Sequence, residues 1–254
     1  PVLSSAASDV YKRQDNEIYL LEVNPRASRT APFVSKSIGI QLAKVGALVM
    51  AGKKLKTLKI NREVVPKYFA VKEAVLPFSK FPEVDVLLGP EMKSTGEVMG
   101  IGNSFGEAYF KAQRAAGVIL PKTGNVFISV RDKDKEPVCD VAEELIKIGF
   151  NLFATRGTQV HLEKKGIKCE RINKVKQGHP HIVDMIKNGN VHLIINTTEG
   201  ALSIKDSFSI RKEANNHNVC LTTTISGAKA FCKAILFIDN FDALDIQSRH
   251  SSIN

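Results

Sequence analysis

The sequence predicts an α/β protein: an α+β segment up to about residue 120, then a doubly wound parallel sheet with helices on both faces. Three observations predict it. Beyond residue 125, short apolar runs alternate with amphipathic helical patterns, the order that joins parallel strands through crossover helices. Leu120-Pro121-Lys122-Thr123-Gly124-Asn125 has linker composition, which puts the domains at 15–120 and 121–254. Ahead of it, strand and helix patterns occur singly, between irregular or turn-rich stretches.

Residues 1–14 run from small polar residues into Tyr11-Lys12-Arg13-Gln14, and apolar patterning starts abruptly after them. They are expected to be a non-native extension that packs against nothing. Ile18–Val23 reads as a short buried strand stopped by Pro25, followed by a loop. Leu42, Val45, Leu48 and Val49 space a helix over about Ile40–Ala51, with Gly52 as its stop. Lys53–Pro66 is basic and irregular, Tyr68–Leu76 is a strand ended by Pro77, and Phe81–Pro90 is turn-rich. Ser104-Phe105-Gly106-Glu107 is a capping box opening a helix to Ala116. Gly100-Ile101-Gly102 looks like a dinucleotide loop, but its third glycine comes one place late and no acidic residue follows at the right distance; a structural role is expected.

The second half is regular. Strands are expected at Val126–Val130, Phe150–Ala154, Cys169–Ile172, Val191–Ile195 and Val219–Leu221. Helices are expected at Pro137–Ile148, Gly157–Lys165, Ile182–Lys187, Ser203–Asn215 and Gly227–Ile235. Leu236–Asn254 is too weakly patterned to place.

Composition narrows the function classes. The chain has 254 residues, 43% hydrophobic and 24% charged, as in an ordinary soluble protein. A net charge of +10 favours anionic partners, and small phosphate ligands fit it as well as nucleic acid does. No run of Lys/Arg with interleaved aromatics marks a nucleic-acid track, and no stretch has the length to span a membrane. Cys139, Cys169, Cys220 and Cys232 show neither C-x-x-C spacing nor zinc-type pairing with histidine, which suggests a reduced, cytoplasmic chain. His179-Pro180-His181 lacks a third ligand nearby in sequence and is taken as a turn.

Two groups of residues carry chemistry. On the strand Ile18–Val23, Glu22 and Asn24 point the same way, an oxygen pair suited to a magnesium ion carrying nucleotide phosphates, and Arg26 adds a donor fork. By pattern alone, a buried strand closed by an Asn-Pro turn is the plainer reading. In the second half, polar residues gather at the carboxyl ends of the strands, where such sheets bind ligands. Thr155-Arg156-Gly157-Thr158 turns tightly into a helix N-terminus, and Asn196-Thr197-Thr198 follows another strand. Lys135 and Lys174 lie just past two further strands, so ammonium groups, hydroxyls and a helix terminus converge as a phosphate pocket would require.

These residues also carry a family resemblance. Leu21-Glu22-Val23-Asn24-Pro25-Arg26, Ala31-Pro32-Phe33-Val34-Ser35-Lys36 and Ser94-Thr95-Gly96-Glu97-Val98-Met99-Gly100 resemble the last stretch of the carbamoyl phosphate synthase large chain. Ala154-Thr155-Arg156-Gly157-Thr158, Asn173-Lys174-Val175 and Ile194-Ile195-Asn196-Thr197-Thr198 resemble its C-terminal regulatory domain, of methylglyoxal-synthase-like fold. The resemblance implies the truncated end of an ATP-grasp domain followed by that allosteric domain, in an ATP-dependent, glutamine-hydrolysing ligase of arginine and pyrimidine biosynthesis. It implies that Glu22 and Asn24 are Mg2+ or Mn2+ ligands beside ATP, with Arg26 catalytic at the same phosphates. It places Ser129, Lys135, Thr155, Thr158, Lys174, Asn196 and Thr198 on a nucleotide monophosphate effector of UMP or IMP type. Glu73 and Thr223 fall where ornithine-responsive members bind their effector, although Leu221 replaces a tyrosine of those members. A glutaminase small chain would be the partner of the rest of such a protein, and these 254 residues are expected to be inactive alone. The alternatives are a stand-alone methylglyoxal-synthase-like lyase, using Asp132, or a nucleotide-sensing module. Against the lyase, Gly178-His179-Pro180-His181 stands where that family has its second acid.

Overall fold

In a computed structural model, residues 7–14, 17–25, 28–58, 60, 63–81, 84–88, 93–243 and 245–251 are described, with the backbone alone over residues 7–25. The chain divides into two compact units, residues 1–70 with 242–254, and residues 71–241.

In the first unit, β1 (Ala7–Gln14) pairs antiparallel with β2 (Glu17–Pro25). Within the segment set aside from the fold, residues 7–14 are therefore a strand, paired from Ala7 opposite Pro25 to Gln14 opposite Glu17, while residues 1–6 lie outside the described residues. α1 (Thr30–Ile38) replaces the expected loop. Pro32 suggests a break, but it sits in the first turn, where a missing N–H costs no helical hydrogen bond. Gly39 closes α1 with φ +71°, and α2 (Leu42–Met50) follows as expected. Two contacts hold α1 from outside. The Tyr68 hydroxyl donates to Ser37 O (2.6 Å), and His250 Nε2, at the end of the C-terminal helix, lies 2.7 Å from Lys36 O.

β3 (Phe69–Val75) begins where this unit ends and pairs with β4 (Gly96–Gly102). Three glycines hide β4 in the sequence. Gly100 is there for closeness: a Cβ on it would stand 2.0 Å from Ala108 O in α3 (Phe105–Ala115). The glycine pair is structural, as expected. Ser104 caps α3, its hydroxyl accepting from Glu107 N, while Glu107 accepts from Asn103 N at 2.8 Å.

The sheet follows in register: β5 (Gly124–Ser129), α4 (Lys135–Ile148), β6 (Phe150–Ala154), α5 (Arg156–Lys164), β7 (Glu170–Arg171), α6 (Ile182–Lys187), β8 (Leu193–Asn196), α7 (Ala201–Asp206), α8 (Phe208–Asn216), β9 (Cys220–Thr222) and α9 (Ile225–Ile235). The five strands are parallel in the order β7-β6-β5-β8-β9, so the winding reverses between β5 and β8. Alternation along β5 sends Val126 and Ile128 into one core and Phe127 into the other; on β8, Leu193 and Ile195 oppose Ile194 in the same way. Helices α4, α5 and α9 cover the first face, with Leu145, Leu162 and Phe231. Helices α6 and α8 cover the second, with Ile186 and Ile210. The mixed α/β fold with a doubly wound parallel sheet is thus as expected.

One expected helix differs. The helix expected over 203–215 is broken at Ser207, because Arg211 Nη2 takes Ile204 O (2.9 Å), a carbonyl that a continuous helix would use four residues on. By packing, the second compact unit runs from residue 71 and takes in the 120–125 stretch. Helix α3 packs on α9, with Gly106 against Lys233 O and Tyr109 beside Phe231, and Phe110 meets Phe241 edge-on at 5.2 Å. Linker composition marks a turn here, not a gap in packing. The unplaced C-terminus forms α10 (Ile246–His250), capped by Asp245.

Candidate functional site

The reversal between β5 and β8 separates two neighbouring strand ends. Ser129 and Asn196 are register partners; beyond them one chain turns towards α4 and the other towards α7. A cavity of about 400 Å³ opens there, with Ser129, Arg131, Asp132, Lys174, Thr197 and Ser207 in its wall.

The expected residues fall into two shells. Ser129 and Lys174 line the cavity. Behind Ser129, Thr155 Oγ1 donates to Ser129 Oγ at 3.2 Å, and Thr158 Oγ1 accepts from Val130 N at 3.3 Å; all of these are buried. Asn196, also buried, donates from Nδ2 to Ser129 O and to Ser207 Oγ, both at 3.4 Å, and its Oδ1 has no hydrogen-bond partner among the described residues. Thr155, Thr158 and Asn196 therefore shape the wall. Thr198, half-buried, comes one residue after Thr197 and stands outside the lining.

Lys135 opens α4, and its Nζ lies 3.5 Å from where a Cβ on Gly157 would be, over the first turn of α5. There it pairs with Asp132 Oδ1 at 2.7 Å, which holds that exposed carboxyl below its ordinary range. Arg131 Nε is fixed by Asp134 Oδ2 at 2.7 Å. Burial pushes the Asp134 carboxyl up, but the Thr197 hydroxyl and the Arg131 guanidinium outweigh it and hold Asp134 low. Thr197 Oγ1 accepts from Arg131 N at 3.1 Å, which joins the two strand ends. At the rim Lys133 meets Glu199 at 3.0 Å. The site thus offers hydroxyls and cations around a polar hollow, with Lys135, Arg131 and Lys133 each steadied by a carboxylate, those of Asp132, Asp134 and Glu199. Sequence reasoning missed Arg131, Ser203 and Ser207 as lining residues. The four-residue spacing of the two serines was the available signal.

A second cavity, about 610 Å³, lies in the same unit and brings Glu73, Leu221 and Thr223 together, with Asn215 and Asn218 beside them. Burial raises the Glu73 carboxyl, against a hydrogen bond from Gln113 of α3. Glu22 and Asn24 lie on β2, opposite Val10 and Ser8; their side chains, and Arg26 altogether, lie outside the described residues.

The comparisons agree with this class of fold. Residues 137–223, which run from within α4 to β9, match the family model of the MGS-like domain, so the greater part of the doubly wound sheet is similar to domains of that class. Residues 7–58 match that of the carbamoyl-phosphate synthase L chain, ATP binding domain; this match begins inside the segment set aside as an extension. The chain is homologous over nearly all its length to the carbamoyl phosphate synthase large chain. That of Pseudomonas putida is 55% identical over 240 residues, 94% of this chain and 22% of the relative. Those of Xanthomonas axonopodis pv. citri and Ralstonia nicotianae are each 52% identical, over 97% and 95% of this chain and 23% and 22% of their own. The chain thus spans about a fifth of the length of the curated relatives it matches. Among the described residues no single helix is long and apolar enough to cross a membrane.

Proposed function

We propose that these 254 residues are the C-terminal region of a glutamine-hydrolysing carbamoyl phosphate synthase large chain, comprising the end of its second ATP-grasp domain and a nucleotide-sensing domain. In this reading residues 15–120 descend from the ATP-grasp part and 121–254 from the regulatory part, although packing groups them differently. Glu22 and Asn24 would ligate Mg2+ or Mn2+ on ATP, with Arg26 at the same phosphates. The metal would neutralise phosphate charge during phosphoryl transfer. The parent protein would work in the cytoplasm with a glutaminase small chain, supplying arginine and pyrimidine synthesis. Residues 1–254 expressed by themselves are expected to make no carbamoyl phosphate, because oriented phosphoryl transfer needs an adenine and triphosphate cradle that they do not supply.

The observation that carries the regulatory reading is the cavity at the β5–β8 reversal, where Ser129, Thr197 and Lys174 meet from three separate segments. A phosphate dianion there would draw charge-assisted bonds from Lys174 and, after exchange with Asp132, from Lys135. Asn196, through its bonds to Ser129 O and Ser207 Oγ, would brace the wall that the nucleotide meets. Glu73 and Thr223 in the larger cavity would hold the ammonium end of an amino-acid effector, with Leu221 offering no hydroxyl to it.

Calorimetric titration of UMP and IMP, with uridine and inosine as controls, tests the phosphate pocket on the full chain. Nucleotides should bind well above nucleosides, and Lys174→Ala should weaken them about tenfold, since this exposed lysine gives roughly 1.4 kcal/mol. Equal affinity for nucleoside and nucleotide overturns the reading.

A further inference from the structure

We propose that His179, His181 and Asp184 form a binding site for a divalent transition-metal ion of zinc type, with its fourth position open to solvent. The sequence argued against a metal because it offered only two histidines across a proline. The fold supplies the third group. Asp184 lies one helical turn beyond His181 at the start of α6, and one ligand atom from each of the three residues lies within 4.8 Å of the others.

The geometry centres on one oxygen. Asp184 Oδ2 stands 2.6 Å from His179 Nδ1 and 3.0 Å from His181 Nδ1, and the two rings lie with centroids 4.3 Å apart and planes tilted by 35°. Two imidazole nitrogens and a carboxylate oxygen are a donor set of borderline softness, which zinc, cobalt or nickel takes in preference to magnesium or calcium. Zinc bonds of about 2.0–2.2 Å in a tetrahedron place ligand atoms about 3.3–3.6 Å apart, so His179 Nδ1 has to move from Asp184 Oδ2 by roughly 0.7–1 Å and His181 Nδ1 by a few tenths of an ångström. His181 Nδ1 accepts a long hydrogen bond from Asp184 N (3.3 Å), so in the neutral ring its lone pair is on the nitrogen that faces the carboxylate. An ion bound there replaces that weak bond and the proton held between His179 Nδ1 and Asp184 Oδ2.

The surroundings favour a built site with a solvent face. His181 is buried, 8% exposed at its side chain, and anchored by its backbone bridge to Asn173. The loop between them is tied across by Asn173 Nδ2 to Gly178 O at 3.4 Å. His179, 76% exposed, is the outer ligand and leaves room for entry. The site is independent of the nucleotide reading: Lys174, in the same loop, lines the cavity, and the three ligands do not.

The test is titration of the full chain with Co2+ and then Zn2+, followed by visible absorption and by the imidazole NMR signals. One equivalent of Co2+ should bind and be displaced by Zn2+, with the His179 and His181 signals perturbed and no thiolate charge-transfer band. His179→Gln, at an exposed side chain that the fold does not need, should weaken binding at least about tenfold, and Asp184→Asn should do likewise. His181 is left intact because it caps α6. No binding, binding unchanged in a His179→Gln protein of native circular dichroism, or a thiolate band that assigns the metal to the cysteines, would each overturn the proposal.

Discussion

Arg211 and Asp85 are joined by a two-point ion pair inside the second unit: Nε to Oδ1 at 2.7 Å and Nη2 to Oδ2 at 2.5 Å. The guanidinium is fully buried, and the carboxylate arrives from 126 residues earlier in the chain. This pair pins residues 84–88 to α8, one turn from Ser207 in the smaller cavity and one from Asn215 in the larger.

Removing the carboxylate should be costly. In Asp85→Ala the Arg211 charge stays buried, with Ile204 O the only acceptor left to it among the described residues, and a loss of about 3 kcal/mol is expected in urea unfolding. The double variant Asp85→Leu/Arg211→Met should recover much of that loss, since it leaves no unpaired charge. Equal stability of wild type and Asp85→Ala would show that the pair contributes nothing.

The same pair predicts a pH dependence. Burial raises the Asp85 carboxyl, but the Arg211 and Leu87 hydrogen bonds, with the charges of Arg211 and Lys93, outweigh it and set the folded pKa below the ordinary carboxylate value. A lowered folded pKa contributes stability at pH values above the unfolded pKa, and that stability fades as pH falls through the folded one. Unfolding free energy should therefore drop below about pH 4, and the drop should be shallower in Asp85→Asn. Parallel acid slopes for the two proteins would exclude Asp85 as a source.

Thr158 is predicted to matter through its hydroxyl rather than its shape. Thr158→Val leaves the buried Val130 N–H without the acceptor it now has at 3.3 Å, at a cost of about 1–3 kcal/mol, while Thr158→Ser keeps the bond. Chemical denaturation of both variants separates the hydroxyl from the lost methyl.

Gly106 is expected to resist any side chain. A Cβ there would stand 2.5 Å from Lys233 O, a backbone atom of α9 that cannot rotate aside. Gly106→Ala should push α3 from α9 and lower stability by about 1–3 kcal/mol, against the usual gain of alanine over glycine in a helix. A raised melting temperature would refute the close approach.

The cysteines should be slow to react in the native state. Burial pushes the Cys220 and Cys232 thiols up to about 12 and Cys169 to about 11. At pH 8 only about one Cys220 thiol in ten thousand is ionised. Iodoacetamide followed by intact-mass measurement should modify the unfolded chain fully and the native chain barely. Rapid native labelling at Cys220 would contradict its burial, which includes a hydrogen bond to Ile119 O at 2.8 Å.

The sequence by itself determined the parallel sheet. Apolar runs such as Val126–Val130 can only be strands buried on both faces, and glycines such as Gly149 end the helices between them. It also determined that polar residues gather at the strand ends, because topology alone puts Ser129, Thr155 and Asn196 on one side of the sheet. Local patterning misled where a local rule had an exception: Pro32 in a first helical turn and glycines in β4. Only the tertiary structure decided which strand-end residues face the cavity and which brace it, because that depends on hydrogen bonds between segments dozens of residues apart, such as Thr155 to Ser129 and Arg131 to Thr197. It alone paired Arg211 with Asp85 and set Asp184 against two histidines, since charge and lone-pair partners are chosen by distance in space, which no spacing in sequence records.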